Sequence, residues 1–327
     1  MALSITPFKV VSGPKGTRGS FHLGDCLDLF RQMPAHSVDV IVTSPPYNMG
    51  IRYNSYDDAL TPAEYLAWTS EWIAGASRVL RPEGSLFLNV GSRPSDPWTA
   101  LDVAQAARGH LRLQNIIHWV KSIAIEQGSA GAAAGLTRDL AVGHYKPINS
   151  DRYLNDCHEF VFHFTPAGDT PLERLALGVP YQDQSNIARW RSAAEGRRCR
   201  GNTWFIPYET IQRRDRDRPH PATFPSKLPE QCLRLHGLSR IETVMDPFTG
   251  LGSTAVACAR LGLNFVGADI DETYLTEAAD RMTAAGSAAA LPHRGMAKMR
   301  KASVSARRPV SLPVPARAAR ATRRTAT

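Results

Sequence analysis

The sequence predicts an α/β fold in which a mostly parallel sheet is wound on both faces by helices. Three observations carry this prediction. Short runs rich in Val and Ile, such as Val38–Thr43, read as strands buried in a parallel sheet. Segments of helical periodicity alternate with them. Two of the strands run straight into turns rich in Pro or Gly, the place where open α/β sheets hold their ligands.

The elements follow in order. Residues 22–25 end a short extended run, and Leu27, Leu29, Phe30 and Met33 mark a helix face. The strand Val38–Thr43 is stopped by Pro45 and Pro46, which cannot continue a ladder. A helix begins at Pro62, with Thr61 as its N-cap and Glu64 in the first turn, and runs through Trp68, Trp72 and Val79 to Leu80. Residues 81–84 (Arg-Pro-Glu-Gly) read as a turn, 85–90 as a strand and 100–107 as a helix. Strands are expected at 115–120 and 159–164. The rhythm is lost between 165 and 218. Arg189, Arg191, Arg197, Arg198, Arg200, Arg213, Arg214, Arg216 and Arg218 crowd this stretch, interleaved with Tyr181, Trp190, Trp204, Phe205 and Tyr208. It reads as an insert of different character. The α/β pattern resumes with a strand at 243–245, a helix at 253–261 capped by Gly262, a strand at 264–268 and a last helix at 271–284.

A chain of 327 residues has room for one large α/β domain plus an insert. Its hydrophobic content of 43% and charged content of 21% are ordinary for a soluble globular protein. The net charge of +9 is not spread evenly. Of the 39 Lys and Arg, ten lie in 293–327, where there is no Asp or Glu, leaving 29 basic against 30 acidic residues in 1–292. The positive balance therefore belongs to an Ala-, Arg-, Pro- and Ser-rich tail, expected to be disordered and either to attract phosphates by counterion release or to have no required role. No uninterrupted run of 18 apolar residues occurs, and the N-terminus lacks a signal-peptide pattern, so no membrane span and a cytoplasmic location are expected. The five cysteines (Cys26, Cys157, Cys199, Cys232, Cys258) are odd in number and far apart, with no C-x-x-C. They are expected to be reduced, buried thiols, with no metal site.

Two motifs carry chemistry. In 246–254 (Asp-Pro-Phe-Thr-Gly-Leu-Gly-Ser-Thr) a turn links a strand to a helix; Gly250 and Gly252 permit a tight turn and close backbone approach to a ligand. Asp269 ends the next strand 17 residues past Gly252, where a carboxylate can accept ribose hydroxyls. The spacing also fits the dinucleotide pattern G-x-G-x-x-G/A, so S-adenosyl-L-methionine, a dinucleotide or no ligand all remain open. Asp246 inclines the reading toward a cationic cofactor, because it would repel a pyrophosphate. The second motif is Ser44-Pro45-Pro46-Tyr47. An exocyclic base amine is a poor nucleophile while its lone pair is delocalised into the ring. Two acceptors, from Ser44 and the Pro45 carbonyl, could draw both N–H bonds out of plane and aim the lone pair at a methyl group. Pro fixes its own φ and presents its carbonyl rigidly. Tyr47 offers a face for a base swung out of a duplex and for a cation. Alone, the string also reads as a loop starter followed by a packing aromatic.

Taken together the motifs resemble those of the DNA amino-methyltransferases that modify cytosine N4 or adenine N6, and most of all their β class, in which the amine-holding motif precedes a target-recognition segment and the cofactor motifs come last. The resemblance covers about residues 20–285. Gly24-Asp25, Pro82-x-Gly84-Ser85-Leu86, Trp119-Val-Lys121, His158-Glu159 and the segment 220–225 containing Phe224 match family features in the right order. It implies a Rossmann-like doubly wound methyltransferase sheet with a circularly permuted motif order. The parts would be 1–164 (catalytic), 165–218 (target recognition), 219–290 (cofactor binding) and 291–327 (basic tail). S-adenosyl-L-methionine is the implied cofactor, contacted by Asp25, Phe224, Asp246, Phe248, Gly250, Gly252 and Asp269. Double-stranded DNA is the implied partner, read by Arg189, Arg191, Arg197, Arg198 and Arg200, since Arg pairs bidentately with guanine. A cognate restriction endonuclease would share the same biology without direct contact, and the enzyme would be a monomer or homodimer. Ser44 in place of Asp is, within the resemblance, the mark of N4-cytosine enzymes, with N6-adenine the alternative.

Overall fold

The computed structural model describes residues 6–13, 16–51, 53–56, 58–132, 134–144, 147–181, 196–208 and 223–290. Its elements are β1 (Lys9–Ser12), β2 (Arg18–Leu23), α1 (Cys26–Gln32), β3 (Val38–Thr43), α2 (Pro62–Val79), β4 (Leu80–Val90), α3 (Trp98–Ala107), β5 (Arg112–Val120), β6 (Ser122–Ile125), β7 (Leu140–Gly143) and β8 (His158–Thr165). There follow β9 (Val179–Pro180), β10 (Arg197–Arg198), β11 (Thr203–Phe205), α4 (Lys227–His236), β12 (Thr243–Asp246), α5 (Ser253–Leu261), β13 (Asn264–Asp269) and α6 (Glu272–Ala290).

One nine-stranded sheet organises the chain, in the order β1-β2-β13-β12-β3-β4-β8-β5-β11. From β2 to β4 every pairing is parallel, as is β5 with β11; β1, and β8 between β4 and β5, run antiparallel to their neighbours. The expected doubly wound, mostly parallel sheet is therefore present. Its two faces carry separate cores. One gathers side chains of α1, α2 and α3, among them Phe30, Trp72 and Val103; the other gathers α4, α5 and α6, among them Cys232, Cys258 and Leu275. All six residues of β3 are buried, as a strand covered on both sides demands. Its one charge, Asp39, accepts from the amides of Glu242 and Thr243 at 2.9 Å and pairs with Arg81 at 3.1 Å.

Local sequence explains the boundaries. The helix α2 opens with a full capping box: Thr61 Oγ1 accepts from the Glu64 amide, and the Glu64 carboxylate accepts from the Thr61 amide at 3.0 Å. Gly262 closes α5 in the left-handed conformation, φ 73°, that a side chain resists.

Three expectations need correction. Residues 81–84 are not a turn before the strand. They lie within β4 as an irregularity, since Val38 pairs with Leu80 but Val40 already pairs with Ser85. The segment 165–218 is not wholly an insert apart: β11 joins the central sheet beside β5, with Trp204 opposite Trp119 and both indoles buried. The helix α4 sits where no element was expected, between the 220–225 segment and β12. Of the cysteines, Cys26, Cys232 and Cys258 are buried thiols, while Cys157 is half-buried and Cys199 exposed; all five are free. Among the described residues no helix is long and apolar enough to cross a membrane. Arg189, Trp190, Arg191, Arg213, Arg214, Arg216, Arg218, His220 and the tail 291–327 lie outside the described residues.

Candidate active site

Because β2, β13, β12, β3 and β4 run the same way, their carboxyl ends share one edge of the sheet. The segments leaving those ends enclose a cleft of about 1060 Å³, its open mouth included. Gly24-Asp25-Cys26 enters from β2, Ser44–Tyr47 from β3, 247–251 from β12 and 269–271 from β13. Tyr53, Ser55, Tyr56, Trp68, Phe224 and Tyr274 complete the wall. The topology thus brings together two motifs some 200 residues apart in sequence.

Of the residues expected at the cofactor, Asp25, Phe224, Phe248, Gly250 and Asp269 line this cleft. Asp25 also caps α1, accepting from the Leu27 amide at 2.8 Å. Asp269 accepts from the amides of Gly250 at 2.7 Å and Asp271 at 3.0 Å. Burial raises its carboxyl above the ordinary range, and those amides pull it back. Phe248 packs edge-on against Trp68 and Trp72, with ring centroids 5.5 and 5.3 Å away.

Asp246 and Gly252 stand elsewhere. Asp246, 1% exposed, faces the interior, where its carboxylate accepts from Thr43 Oγ1 at 2.7 Å and from the Phe248 amide at 3.1 Å. It shapes the loop from behind. Burial pushes its carboxyl up to about 7, against the pull of those hydrogen bonds. Gly252 is in the left-handed conformation, φ 72°, and a β-carbon there would come within 2.7 Å of the Ala278 side chain on α6; helix packing requires this glycine.

A cleft lined by the carboxylates of Asp25, Asp269 and Asp271, several aromatic rings and, among the described residues, no Lys or Arg fits a cation bearing hydroxyls. A dinucleotide pyrophosphate would find no counter-charge. The expected S-adenosyl-L-methionine passes this test, and it passes on Asp25, Asp269 and Asp271, without Asp246.

At the other side of the cleft, the end of β3 meets β4 and the start of β8. Ser44 Oγ lies 2.6 Å from Tyr47 Oη, and Tyr47 Oη lies 3.2 Å from Glu159 Oε2. Asn89 Nδ2 donates to Tyr47 Oη and to Glu159 Oε2, each at 2.7 Å. Lys121 Nζ donates to Glu159 Oε1 and lies over the rings of Trp119 and Tyr208. The Pro46 carbonyl is taken by the Tyr65 hydroxyl at 2.9 Å; among the described residues no donor reaches the Pro45 carbonyl. The next residues are pinned too: Asp58 Oδ1 accepts from the Asn48 amide at 2.9 Å, and Oδ2 from the amides of Met49 at 2.9 Å and Ile51 at 3.0 Å.

Sequence reasoning missed Tyr53, Ser55, Tyr56, Asp58 and Asn89. Asn89 did leave a signal, being a polar residue in the apolar run 85–90 that must find partners when buried. The recognition arginines are not brought to the cleft where they are described. Arg197, exposed in β10, donates to the Gly178 carbonyl; Arg200 Nε donates to Leu177 O at 3.2 Å; Arg198 reaches Cys199 O at 3.3 Å. Arg189 and Arg191 lie outside the described residues.

Known proteins bear on this arrangement. Residues 38–280 match the family model for N6/N4 methyltransferases, described as DNA methylase. The chain is similar to the Type II methyltransferase M.HpaI of Haemophilus parainfluenzae, 25% identical over 258 residues, or 79% of this chain and 72% of that protein. It is also similar to the Type II methyltransferase M.ScaI of Streptomyces caespitosus, 27% identical over 267 residues, or 80% of each. In fold it is similar to the cytosine-N4-specific PvuII DNA methyltransferase, with a TM-score of 0.54, 17% identity and coverage of 82% of this chain and 91% of that one. TTHA0409 of Thermus thermophilus, solved with S-adenosyl-L-methionine, gives a TM-score of 0.50 at 21% identity, covering 81% and 93%. The match over 38–280, on a sheet whose carboxyl edge joins a carboxylate-lined cleft to a Ser-Pro-Pro-Tyr turn, makes the chain a member of the S-adenosyl-L-methionine-dependent DNA amino-methyltransferase family.

Proposed function

We propose that this protein methylates the exocyclic N4 amine of a cytosine swung out of double-stranded DNA, as the modification enzyme of a Type II restriction–modification pair. One observation carries the reading: Ser44 and Pro45 line the same cleft as Asp25 and Asp269. The cofactor, when bound, supplies an electrophilic methyl on a sulfonium cation. The chain's residues do the rest. Asp269 and Asp25 hold the hydroxyl-bearing and base ends, Gly250 lets the backbone approach, and Phe224 and Phe248 give apolar and aromatic contact to the cation. Asp246 keeps the loop in shape from the interior.

On the DNA side, Ser44 Oγ and the Pro45 carbonyl accept from the target amine, so that its lone pair turns toward the methyl group. This is orientation catalysis, and it asks little of acid–base chemistry. The ring of Tyr47 supports the flipped base. Ser44 in place of an acidic residue supports cytosine as the target. Target recognition falls to the 165–218 segment, with Arg189 and Arg191 as readers and Arg197, Arg198 and Arg200 as braces, since these three donate to backbone carbonyls. No contact with a restriction endonuclease is required.

The test is chemical. DNA incubated with the protein and S-adenosyl-L-methionine is digested to nucleosides and analysed by mass spectrometry. N4-methylcytosine is expected. N6-methyladenine in its place would overturn the target base and leave the fold, cofactor and orientation chemistry standing.

A further inference from the structure

Serine is an ambiguous choice for gripping an amine. A hydroxyl accepts through its lone pairs but also carries a hydrogen, and a hydrogen pointed at the substrate would repel an N–H bond. Something must decide which way Ser44 presents itself. The residues behind it can.

Glu159 enters the site from the amino end of β8, the antiparallel strand, and Asn89 from β4. Neither lines the cleft. Glu159 and Lys121 form an ion pair whose side chains are 13% and 12% exposed. A carboxylate beside an ammonium accepts hydrogen bonds and gives none. Its Oε2 receives Asn89 Nδ2 at 2.7 Å and faces Tyr47 Oη at 3.2 Å. Within that pair the phenol is the donor, because a carboxylate has no hydrogen to give. The Tyr47 hydrogen is therefore committed to Glu159. Tyr47 Oη in turn accepts from Asn89 Nδ2 at 2.7 Å and lies 2.6 Å from Ser44 Oγ. With its own hydrogen already used, Tyr47 can only accept from Ser44. The Ser44 hydrogen is drawn inward; Asn89 Nδ2 approaches one of its lone pairs at 3.4 Å, and the other is left for the cleft.

We infer that Glu159 is a positioning residue for methyl transfer: through Tyr47 it fixes the direction of the Ser44–Tyr47–Glu159 hydrogen-bond chain, so that Ser44 meets the target amine as an acceptor. The inference rests on Ser44 receiving that amine. It also gives Lys121 a part, since the ammonium, held over the Trp119 and Tyr208 rings, occupies the other carboxylate oxygen, Oε1, and leaves Oε2 to Tyr47.

Glu159→Gln tests it. An amide can offer N–H to Tyr47, reverse the chain and point the Ser44 hydrogen at the substrate. Single-turnover methylation should fall about 100-fold, the scale on which misplacing one preorganised hydrogen bond acts, while the KM for DNA, the cofactor Kd and the Tm stay near wild type. Tyr47→Phe keeps the ring but cuts the chain; it should cost about 10-fold, because Ser44 is then free to rotate rather than set wrongly. In the Tyr47→Phe background, Glu159→Gln should cost little more, about 2-fold at most, because its path to Ser44 is gone. The inference is overturned if Glu159→Gln turns over like wild type, if its cost is the same in both backgrounds, or if the loss comes with a lowered Tm and weakened cofactor binding. Should Glu159→Gln fail to fold, Tyr47→Phe alone decides, and an unchanged rate overturns the chain. The wild-type product separates this inference from the choice of base. If it is N6-methyladenine, the cytosine reading falls and the same cycle is scored on that product. A wild type that methylates neither base overturns both.

Discussion

The carboxyl ends of β3 and β12 lie side by side, joined by the 2.7 Å hydrogen bond from Thr43 to Asp246, and they are built on opposite plans. At the end of β12 the charge turns inward. Asp246 is spent on Thr43 and the Phe248 amide, and the cleft receives the loop it shapes. At the end of β3 the polar groups turn outward: Ser44 and Tyr47 line the cleft, and the charge that serves them, Glu159, comes from another strand. A motif's most acidic residue thus need not touch the ligand, and a motif with no charge can borrow one. In the cofactor half, the carboxylates that line the cleft are those of Asp25, Asp269 and Asp271, which the Asp-Pro-Phe-Thr-Gly string does not contain.

Four substitutions would break or sharpen this contrast. The largest effect is expected at the outward-facing end. Tyr47→Ala removes both the ring proposed to support the base and the phenol proposed to orient Ser44, and should lower single-turnover methylation about 1000-fold. Cofactor affinity, read by fluorescence titration, should not move; if it weakened in step, Tyr47 would belong to the cofactor side. Next comes Asp269→Ala, which removes a cleft-lining carboxylate and should raise the cofactor Kd about 100-fold, with DNA affinity unchanged in gel-shift assays. An unaltered titration would remove Asp269 from the cofactor site.

Asp246→Asn should barely affect that titration, and its signature should be in stability. The folded protein holds the Asp246 proton up to about pH 7, whereas the unfolded chain releases it near pH 4. Raising the pH across that window therefore costs the wild type stability, and the variant, with nothing to ionise, pays no such penalty. Urea denaturation should show the variant gaining on wild type by a few kcal/mol between about pH 4 and about pH 7.5. A variant that loses ground as pH rises would mean that the carboxylate is needed ionised, as a ligand-facing group would be. The smallest effect is expected far from both ends: deleting 293–327, with its ten Lys and Arg, should weaken DNA binding several-fold at low salt and leave the methylated sequence unchanged. A shift in the sequence methylated would assign the tail to recognition.

What could be read from the chain beforehand divides along the same line. Local strings were legible. Thr61-Pro-Ala-Glu64 spells a capping box within one turn, and Ser44–Tyr47 and 246–254 each announce a strand end. Properties that depend on distant partners were not. Asn89 and Glu159 are 70 positions apart and meet only because β8 runs antiparallel beside β4. The inward turn of Asp246 depends on Thr43, brought over by β3–β12 pairing that skips most of the chain. The strand β11 is three residues long, too short for any period to show, and arginines crowd its approach; its place was set by Trp204 meeting Trp119 across the sheet. The helix α4 was not anticipated; it carries Pro229 in its first turn, where the missing amide costs nothing.

β5 pins both ends of the segment that separates β8 from β11: Thr165 pairs with Arg112 near its start, and Thr203 with His118 toward its finish. The described start of that segment is held as well: the Gln114 side chain on β5 bonds the Thr170 backbone at 2.8 and 3.0 Å, and Leu177 is buried in the core. Both end anchors lie on the strand that runs on to Lys121, so exchanging sequence between Gly178 and Asn202 is expected to leave Lys121 and Glu159 in place. A gene built this way can exchange one stretch, the one proposed to read DNA, and inherit the Ser44–Tyr47–Glu159 cluster whole, so descendants of one ancestor can diverge there while that cluster stays alike.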